Sequence, residues 1–526
     1  MSNMADHFLY GEDYLTAGIA LKIAKGETKG IISKISREKI KESRKVVENI
    51  VDKGHPVYGI NTGFGPLCTT KISKEETKVL QNNILKSHSV GVGDPVDNEI
   101  AKLMMILKMQ SLSKGYSGIS EKTLDRILWH IDNDAIPIVP SQGSVGASGD
   151  LAPLSHLFLP LIGLGKVVYH KRIITTKELF KTTELSPLDL GPKEGLALIN
   201  GTQFIAAHAV QIVSKLHNCL SQADIIGAMM IEGLQGSVKP FYRELHNLRP
   251  FKGNIHVASR IKSLLKGSEI MEDHVDCDRV QDPYSLRCMP QVHGASRNAW
   301  LHLKELLEVE LNSVTDNPII INEELTISGG SFHGQPLAMA IDYACLAASE
   351  LGNISDRRIY LALEGNSPGV PKLLMKDTGI NSGYMILQYT TAALASENKG
   401  LCFPSSADSI PTSLGQEDHV SMGSIGGRKA IKVIENLEKI LAIELLTASQ
   451  AFEFRKPLKS GVIVDEIHKA IRTKVAFADK DRVFAHDIEE GINIIKNKTI
   501  ITIVNQISKE KNISVETEFS NEFEVY

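Results

Sequence analysis

Apolar residues recur at spacings of three and four along most of the chain, the repeat of a helix with one buried face. The longest run lies between Arg428 and Phe454, where Ala430, Ile434, Leu437, Leu441, Leu445, Ala448 and Phe452 form one stripe and predict a single long helix in a bundle. Shorter stretches carry the same pattern: Ile40, Val47, Ile50 and Val51; Leu103, Ile106 and Leu107; Leu124, Ile127, Leu128 and Ile131; Trp300, Leu303, Leu306 and Leu307. Strand signals are confined to residues 167–174 and to 319–327, around the turn Asn322-Glu323-Glu324, and they predict hairpins. The expected fold class is therefore mainly α, with small β-hairpins decorating helices.

Polar loops bearing glycine or proline separate these helices at 58–66, 140–150, 273–290, 328–336 and 403–423. Loops mounted on a rigid scaffold are where chemistry concentrates. There is no internal repeat, and the one seam, near Asn200, divides the chain into an expected N-terminal domain, 1–200, and a long-helix bundle domain, 201–526.

Composition narrows the function classes. A chain of 526 residues with 42% hydrophobic side chains has enough material for a large core. Lysine and arginine total 58 against 62 acidic residues, a net charge of −4, which argues against nucleic acid as a partner. Six scattered cysteines without a CxxC pair, and a start (MSNMADHFLYGEDY) without a basic and then apolar leader, predict a reduced, cytoplasmic protein. The most apolar window, 151–165, is interrupted by Ser155, His156 and Pro160 and falls short of the roughly 20 residues that span a bilayer, so no membrane partner is expected. The cluster Asp273, His274, Asp276, Cys277 and Asp278 packs possible ligands into six positions, but successive loop residues rarely converge on one ion. It reads as a solvated acidic loop, with no metal.

The most informative segment is Ser141-Gln142-Gly143-Ser144-Val145-Gly146-Ala147-Ser148-Gly149-Asp150. It is not a nucleophile elbow, which needs G-x-S-x-G, and it is not a phosphate loop of either common spacing. Ala147-Ser148-Gly149 does permit backbone self-cyclisation: an unhindered glycine amide folds back onto the alanine carbonyl, and the serine between them loses water to leave an exocyclic methylene. The product is a strong electrophile made without an added cofactor. Glycine tolerates the tight turn this demands. Asp150 as an N-cap, with Pro153 in the first turn, would set the ring at the positive end of a helix.

This segment resembles the prosthetic-group loop of the aromatic amino acid ammonia-lyase family, and further motifs agree in the same order along nearly the whole chain. They are Tyr58-Gly59-Ile60-Asn61-Thr62-Gly63-Phe64-Gly65, Ser87-His88-Ser89-Val90-Gly91-Val92-Gly93, Asn200-Gly201-Thr202, Gln281-Asp282-Pro283-Tyr284-Ser285-Leu286-Arg287-Cys288, Thr315-Asp316-Asn317-Pro318, Gly329-Gly330-Ser331-Phe332-His333-Gly334, Ala395-Ser396-Glu397-Asn398-Lys399 and Gln416-Glu417-Asp418-His419-Val420-Ser421-Met422. The resemblance implies an elongated helical-bundle fold of the aspartase/fumarase-like type and a homotetramer whose active sites are each built from several subunits. It also implies 4-methylidene-imidazol-5-one formed from Ala147, Ser148 and Gly149, with no metal or nucleotide.

By the same resemblance Tyr58 is the base, in a loop whose glycines suit a closing lid. Arg287 grips the substrate carboxylate with its planar fork. Tyr284 and Asn200 hydrogen-bond the prosthetic group and substrate, Phe332 lies beside the ring, and Gln281 stands near the substrate's amine or carboxylate. His88 and Glu397 would face an imidazole side chain, whose donor and acceptor match them, whereas a phenyl ring would leave Glu397 unpaired. The expected substrate is therefore L-histidine, eliminated to trans-urocanate. The alternatives are elimination from tyrosine or phenylalanine, an aminomutase, or a non-catalytic relative. Ser331, Met289 and Leu414-Gly415 depart from the family's common asparagine, glutamine and Ala-Asn without removing a catalytic group.

Overall fold

The structure, a computed structural model, describes residues 7–54, 57, 59–63, 65, 72–273 and 280–526. Its frame is four long helices, Gln203–Gly233, Met289–Leu311, Gln335–Leu363 and Gly423–Glu453. Gly423–Glu453 packs along both Gln203–Gly233 and Gln335–Leu363, and Met289–Leu311 lies against Gln335–Leu363. The stripe Ala430, Ile434, Leu437, Leu441, Leu445 and Ala448 is fully buried in this bundle. Burying a leucine or isoleucine there contributes about 1.5–3 kcal/mol, and Leu441→Ala would cost about 2–5 kcal/mol through lost contacts and a cavity.

The helix predicted at 428–454 begins five residues earlier, at Gly423, ahead of its apolar stripe. Gly423, Gly426 and Gly427 carry no side chain to mark the period. Gly423 and Gly427 are needed because the neighbouring helix passes too close: a Cβ on Gly427 would lie 2.8 Å from Cβ of His208. Met422, left-handed at φ +54°, sets the helix start.

Buried charge ties the bundle together. The Arg358 guanidinium holds Glu444 with two nitrogens, and Asp224 is paired with Arg297 at 2.6 Å and with His293 at 2.8 Å. Burial alone would raise the Asp224 carboxyl, but Arg297 and His293 hold it well below the usual carboxylate range.

The predicted hairpin at 167–174 is observed as Lys166–Tyr169 paired with Arg172–Thr175, and Ile136–Pro137 adds a third strand. His170 and Lys171 both have positive φ at its tip, the two-residue turn that matches strand twist. The second predicted hairpin is Ile319–Ile320 with Thr326–Ile327. Two small sheets carry no alternation signal: a parallel pair, His7–Leu9 with Lys29–Ile31, and an antiparallel pair, Val92–Pro95 with Pro140–Gln142.

Among the described residues no helix is long and apolar enough to cross a membrane. Among the same residues no group of three or more histidine, cysteine, aspartate or glutamate side chains could hold a metal ion. His274, Asp276, Cys277 and Asp278 of the acidic loop lie outside them.

Candidate active site

The Ala147-Ser148-Gly149 loop leaves the strand Pro140–Gln142 and enters the helix Leu151–Phe158. Gly143, Gly146, Ser148 and Gly149 all have positive φ, +126°, +90°, +51° and +81°. For serine this is a left-handed conformation that L side chains seldom adopt, so its surroundings must impose it. They do so through backbone. Gly149 pairs with Gly201 in an isolated parallel bridge, Gly201 N donates to the Ser148 carbonyl at 3.2 Å, and Asp150 N donates to the Gly201 carbonyl at 2.8 Å. A Cβ on Gly149 would lie 2.1 Å from that Gly201 oxygen, so no other residue fits.

The bundle anchors the other side of the loop. Met422 N donates to the Val145 carbonyl at 2.9 Å, and Ser424 Oγ donates to the Ser144 carbonyl at 2.6 Å. Asp150 stands at the N-cap of Leu151–Phe158, as expected, but its carboxylate makes no cap bond there. It accepts instead from Phe204 N at 3.1 Å and Ile205 N at 3.0 Å, in the first turn of the 31-residue helix Gln203–Gly233, and from Ser144 Oγ at 3.1 Å. The loop thus lies where two helices begin and amide dipoles favour developing negative charge. Burial pushes the Asp150 carboxyl up to about 6 against these hydrogen bonds.

A cavity of about 460 Å³ opens on the loop, lined by Ala147, Ser148, Asn200, Phe332, Asn317, Glu417, His333 and His419 among others. The size suits a small ligand. Asn317 shapes one wall by accepting from Gly329 N at 2.7 Å and donating to Ser328 Oγ at 3.1 Å. The rings of His333 and His419 stack 5.9 Å apart on another. Asn200 Oδ1 and Glu417 Oε2 are buried with no hydrogen-bond partner among the described residues. Two such acceptors in one cavity are costly unless a ligand donor meets them.

The chain therefore brings together Ala147, Ser148, Asn200 and Phe332, with Gly149 beneath. His88 ends the helix Lys74–His88, half-buried, with its Nδ1 3.0 Å from Ser87 Oγ and its pKa lowered by burial. It is four residues from the strand that pairs with Pro140–Gln142. Tyr284 and Arg287 lie elsewhere, on the four-residue helix Tyr284–Arg287. The Arg287 guanidinium stacks 4.6 Å above the Tyr284 ring, and its Nε donates to the Asp282 carbonyl at 2.9 Å. Tyr284 is 71% exposed and lines a second cavity, of about 510 Å³, with residues of Gln335–Leu363 and Met385–Leu401; the two cavities share no lining residue. Gln281 is exposed. Tyr58 lies outside the described residues.

Glu397, like Tyr284 and Arg287, does not line the Ser148 cavity of its own chain. It is exposed on the helix Met385–Leu401, outside the Ser148 cavity, and accepts from Asn436 Nδ2 at 3.3 Å. The carboxylates that line this cavity are Glu417 and Asp418, and of the two only Glu417 has a buried oxygen without a hydrogen-bond partner among the described residues. Its motif was visible in the sequence, but nothing there says which of two glutamates the fold turns toward Ser148.

Fold and sequence together define a helical-bundle enzyme of the aromatic lyase class. The sequence model described as aromatic amino acid lyase matches residues 15–473, and the chain belongs to that family. A histidine ammonia-lyase of Natranaerobius thermophilus is 45% identical over 473 residues, covering 90% of this chain and 93% of the relative. The crystal structure of histidine ammonia-lyase from Trypanosoma cruzi superposes with a TM-score of 0.89 at 37% identity, covering 98% of this chain and 96% of that one. Tyrosine aminomutase from Streptomyces globisporus gives 0.90 at 32% identity, over 97% and 100%.

Proposed function

We propose that the chain is a carbon–nitrogen lyase that eliminates ammonia from L-histidine to give trans-urocanate, the first step of histidine degradation. The observation that carries this reading is the Ser148 loop: a left-handed serine before a glycine with no room for a side chain, opening on a cavity with unpaired polar acceptors. These residues fit 4-methylidene-imidazol-5-one, the group that Ala147, Ser148 and Gly149 would form and that supplies an electrophile able to turn an amine into a leaving group.

The remaining roles follow from the side chains. Glu417 accepts a hydrogen bond from the substrate's imidazole N–H, the part first expected of Glu397, because its Oε2 is buried and unpaired beside Ser148. Asn200 offers its amide to the substrate, and Phe332 closes the cavity with an apolar face. Tyr58, in its glycine-bearing motif, takes the β-proton. Arg287 holds the carboxylate, with Tyr284 and Gln281 beside it. Since Tyr284 and Arg287 line a separate surface of the same chain, they complete the Ser148 cavity of another subunit in a homotetramer. The 1–200 and 201–526 division, with the reactive loop in the first part, belongs to the same proposal. Free Cys219, Cys288, Cys345 and Cys402 support a reducing, cytoplasmic setting.

The test is ultraviolet absorbance of the purified protein with L-histidine, with L-tyrosine and L-phenylalanine in parallel and Ser148→Ala as control. Urocanate from histidine alone, and only with Ser148 present, is the expected result. Coumarate or cinnamate instead would keep the chemistry and overturn the role of Glu417. Silence with all three would favour a non-catalytic relative.

A further inference from the structure

We propose that Lys108 is a positioning residue for the Ser148 loop: from inside the core it holds and polarises the Asn200–Gly201 peptide, whose N–H donates to the Ser148 carbonyl. The inference rests on the role of Ser148 proposed above.

Lys108 lies in the middle of the helix Asn98–Leu112 and is fully buried. A buried lysine is destabilising unless its nitrogen is engaged. Its neighbour Lys193 has Asp316 at 2.7 Å and the Ser117 carbonyl at 2.9 Å. Among the described residues Lys108 Nζ pairs with no carboxylate; it donates to the carbonyl oxygen of Asn200 at 2.6 Å. Burial lowers its amine to about 7, a shift opposed by Asp316, reinforced by Lys193 and opposed by Asp150, the charged groups that face it. A buried lysine nitrogen engaged by a backbone carbonyl is an unusual arrangement, and the position of that carbonyl gives the reason.

The Asn200 carbonyl and the Gly201 N–H belong to one peptide unit, and resonance couples them. A positive donor on the oxygen draws density from the nitrogen and makes the N–H a stronger donor, as in any polarised hydrogen-bond chain. That N–H points to the Ser148 carbonyl, 3.2 Å away, while the Gly201 carbonyl takes Asp150 N at 2.8 Å. The lysine thus reaches Ser148 through two hydrogen bonds and one peptide plane. Gly201 itself, at φ +129°, has no room for a side chain: a Cβ would lie 2.6 Å from Gln203 Oε1.

The Ser148 carbonyl is the oxygen that the second dehydration must stabilise. Gly149 N bonds to the Ala147 carbonyl carbon, and that oxygen leaves as water with the amide protons of Gly149 and Ser148. Ser148 then loses its Cα proton and Cβ hydroxyl as a second water, the electron pair of the C–H bond becoming the Cα=Cβ bond. The Cα proton is adjacent to the Ser148 carbonyl, so a donor on that oxygen takes up charge as the proton leaves. In the closed ring the same carbonyl is conjugated with the methylene, so the same donor raises its electrophilicity.

The test uses the full-length protein with Lys108→Met, which removes the donor at similar volume, and Lys108→Arg, which restores a charged one. Mass spectrometry of the 147–149 peptide reads the fraction that has lost two waters, circular dichroism reads folding, and kcat and KM are expressed per dehydrated site. For folded Lys108→Met we expect a dehydrated fraction lower by about threefold or more and a kcat lower by about tenfold, with KM within about twofold, because the donor acts on charge that develops during reaction. Lys108→Arg should recover most of both. Parental dehydration and parental kcat in Lys108→Met would overturn the inference. If Lys108→Met does not fold, Lys108→Gln, a weaker neutral donor, is read in the same way, and parental values there overturn it equally. A parent protein without dehydration at Ser148 would overturn the proposed function itself, an outcome distinct from an indifferent Lys108 variant.

Discussion

The two cavities of this chain are built from opposite materials. Around Ser148 the working parts are backbone: Gly201 clamps Gly149, and Met422 and Ser424 fix Val145 and Ser144 from a bundle helix. Around Tyr284 they are side chains on a four-residue helix, exposed on the outer surface. A reactive conformation such as left-handed Ser148 must be overdetermined by a rigid interior. On the function proposed above, a substrate clamp such as Arg287 waits on a surface until another chain covers it, so that reactivity would belong to one subunit and grip to the assembly.

The largest expected effect breaks the first region alone. Ser148→Ala removes the hydroxyl that must leave, so kcat should fall on the order of 10³-fold or more, as for loss of any covalent electrophile. Helical content should be kept, and the 147–149 peptide, lacking the hydroxyl, should show no loss of the second water on mass analysis. The next experiment sets the two regions against each other. Ser148→Ala and Arg287→Ala are each expected to be nearly inactive, and their co-expression should restore about a quarter of parental activity if each site draws these residues from different subunits. A site built within one chain would stay dead, since every chain would carry one lesion.

That contrast also explains what was readable in the sequence. The apolar stripe from Ala430 to Phe452 marked its helix because burial repeats with the helical period. Gly423, Gly426 and Gly427 hid the start, since a close approach of helices leaves no hydrophobic trace. The strand Pro140–Gln142, which delivers the chain to the reactive loop, has neither alternation nor β-branched residues, and only its pairing with Val92–Pro95 defines it. The Ser148 reading could be made from sequence because the chemistry it proposes is local: three consecutive residues would hold all the atoms that cyclise. Substrate recognition is less local: the sequence reading assigns it to Glu397, and only packing shows that within one chain Glu417 is the glutamate lining the Ser148 cavity.

The choice between those carboxylates is the third test. Glu417→Gln should lower kcat/KM for L-histidine by on the order of 10²-fold, the cost of replacing a buried carboxylate that meets a substrate N–H. Glu397→Gln, on an exposed helical face and bonded to Asn436, should change it by less than about threefold. The reverse ranking would mean that Glu397 reaches the site of a neighbouring subunit, and it would move substrate recognition from the interior region to the assembled one.

The smallest expected effect concerns the titratable groups that support the interior region. His208 lies one turn beyond the backbone amides that hold Asp150, with its Nδ1 2.8 Å from the Phe204 carbonyl. Burial pushes its pKa down from 6.5 to about 4; the Phe204 carbonyl opposes this, Arg428 adds to it and Asp97 opposes it. The unfolded chain therefore binds a proton that the folded chain refuses. His208's contribution is complete above pH 6.5 and is lost as pH falls toward 4, by up to about 3 kcal/mol. Asp150 works in the opposite sense: its carboxyl is raised from 3.8 to about 6, so its contribution is present below 3.8 and lost as pH rises through 6. The two overlap and partly cancel in the parent. Replacing His208 by glutamine removes one side of the balance, so unfolding of His208→Gln by denaturant should show stability falling less, or even rising, between pH 6.5 and 4. A variant whose pH profile matches the parent's would mean that His208 is not held neutral beneath the loop.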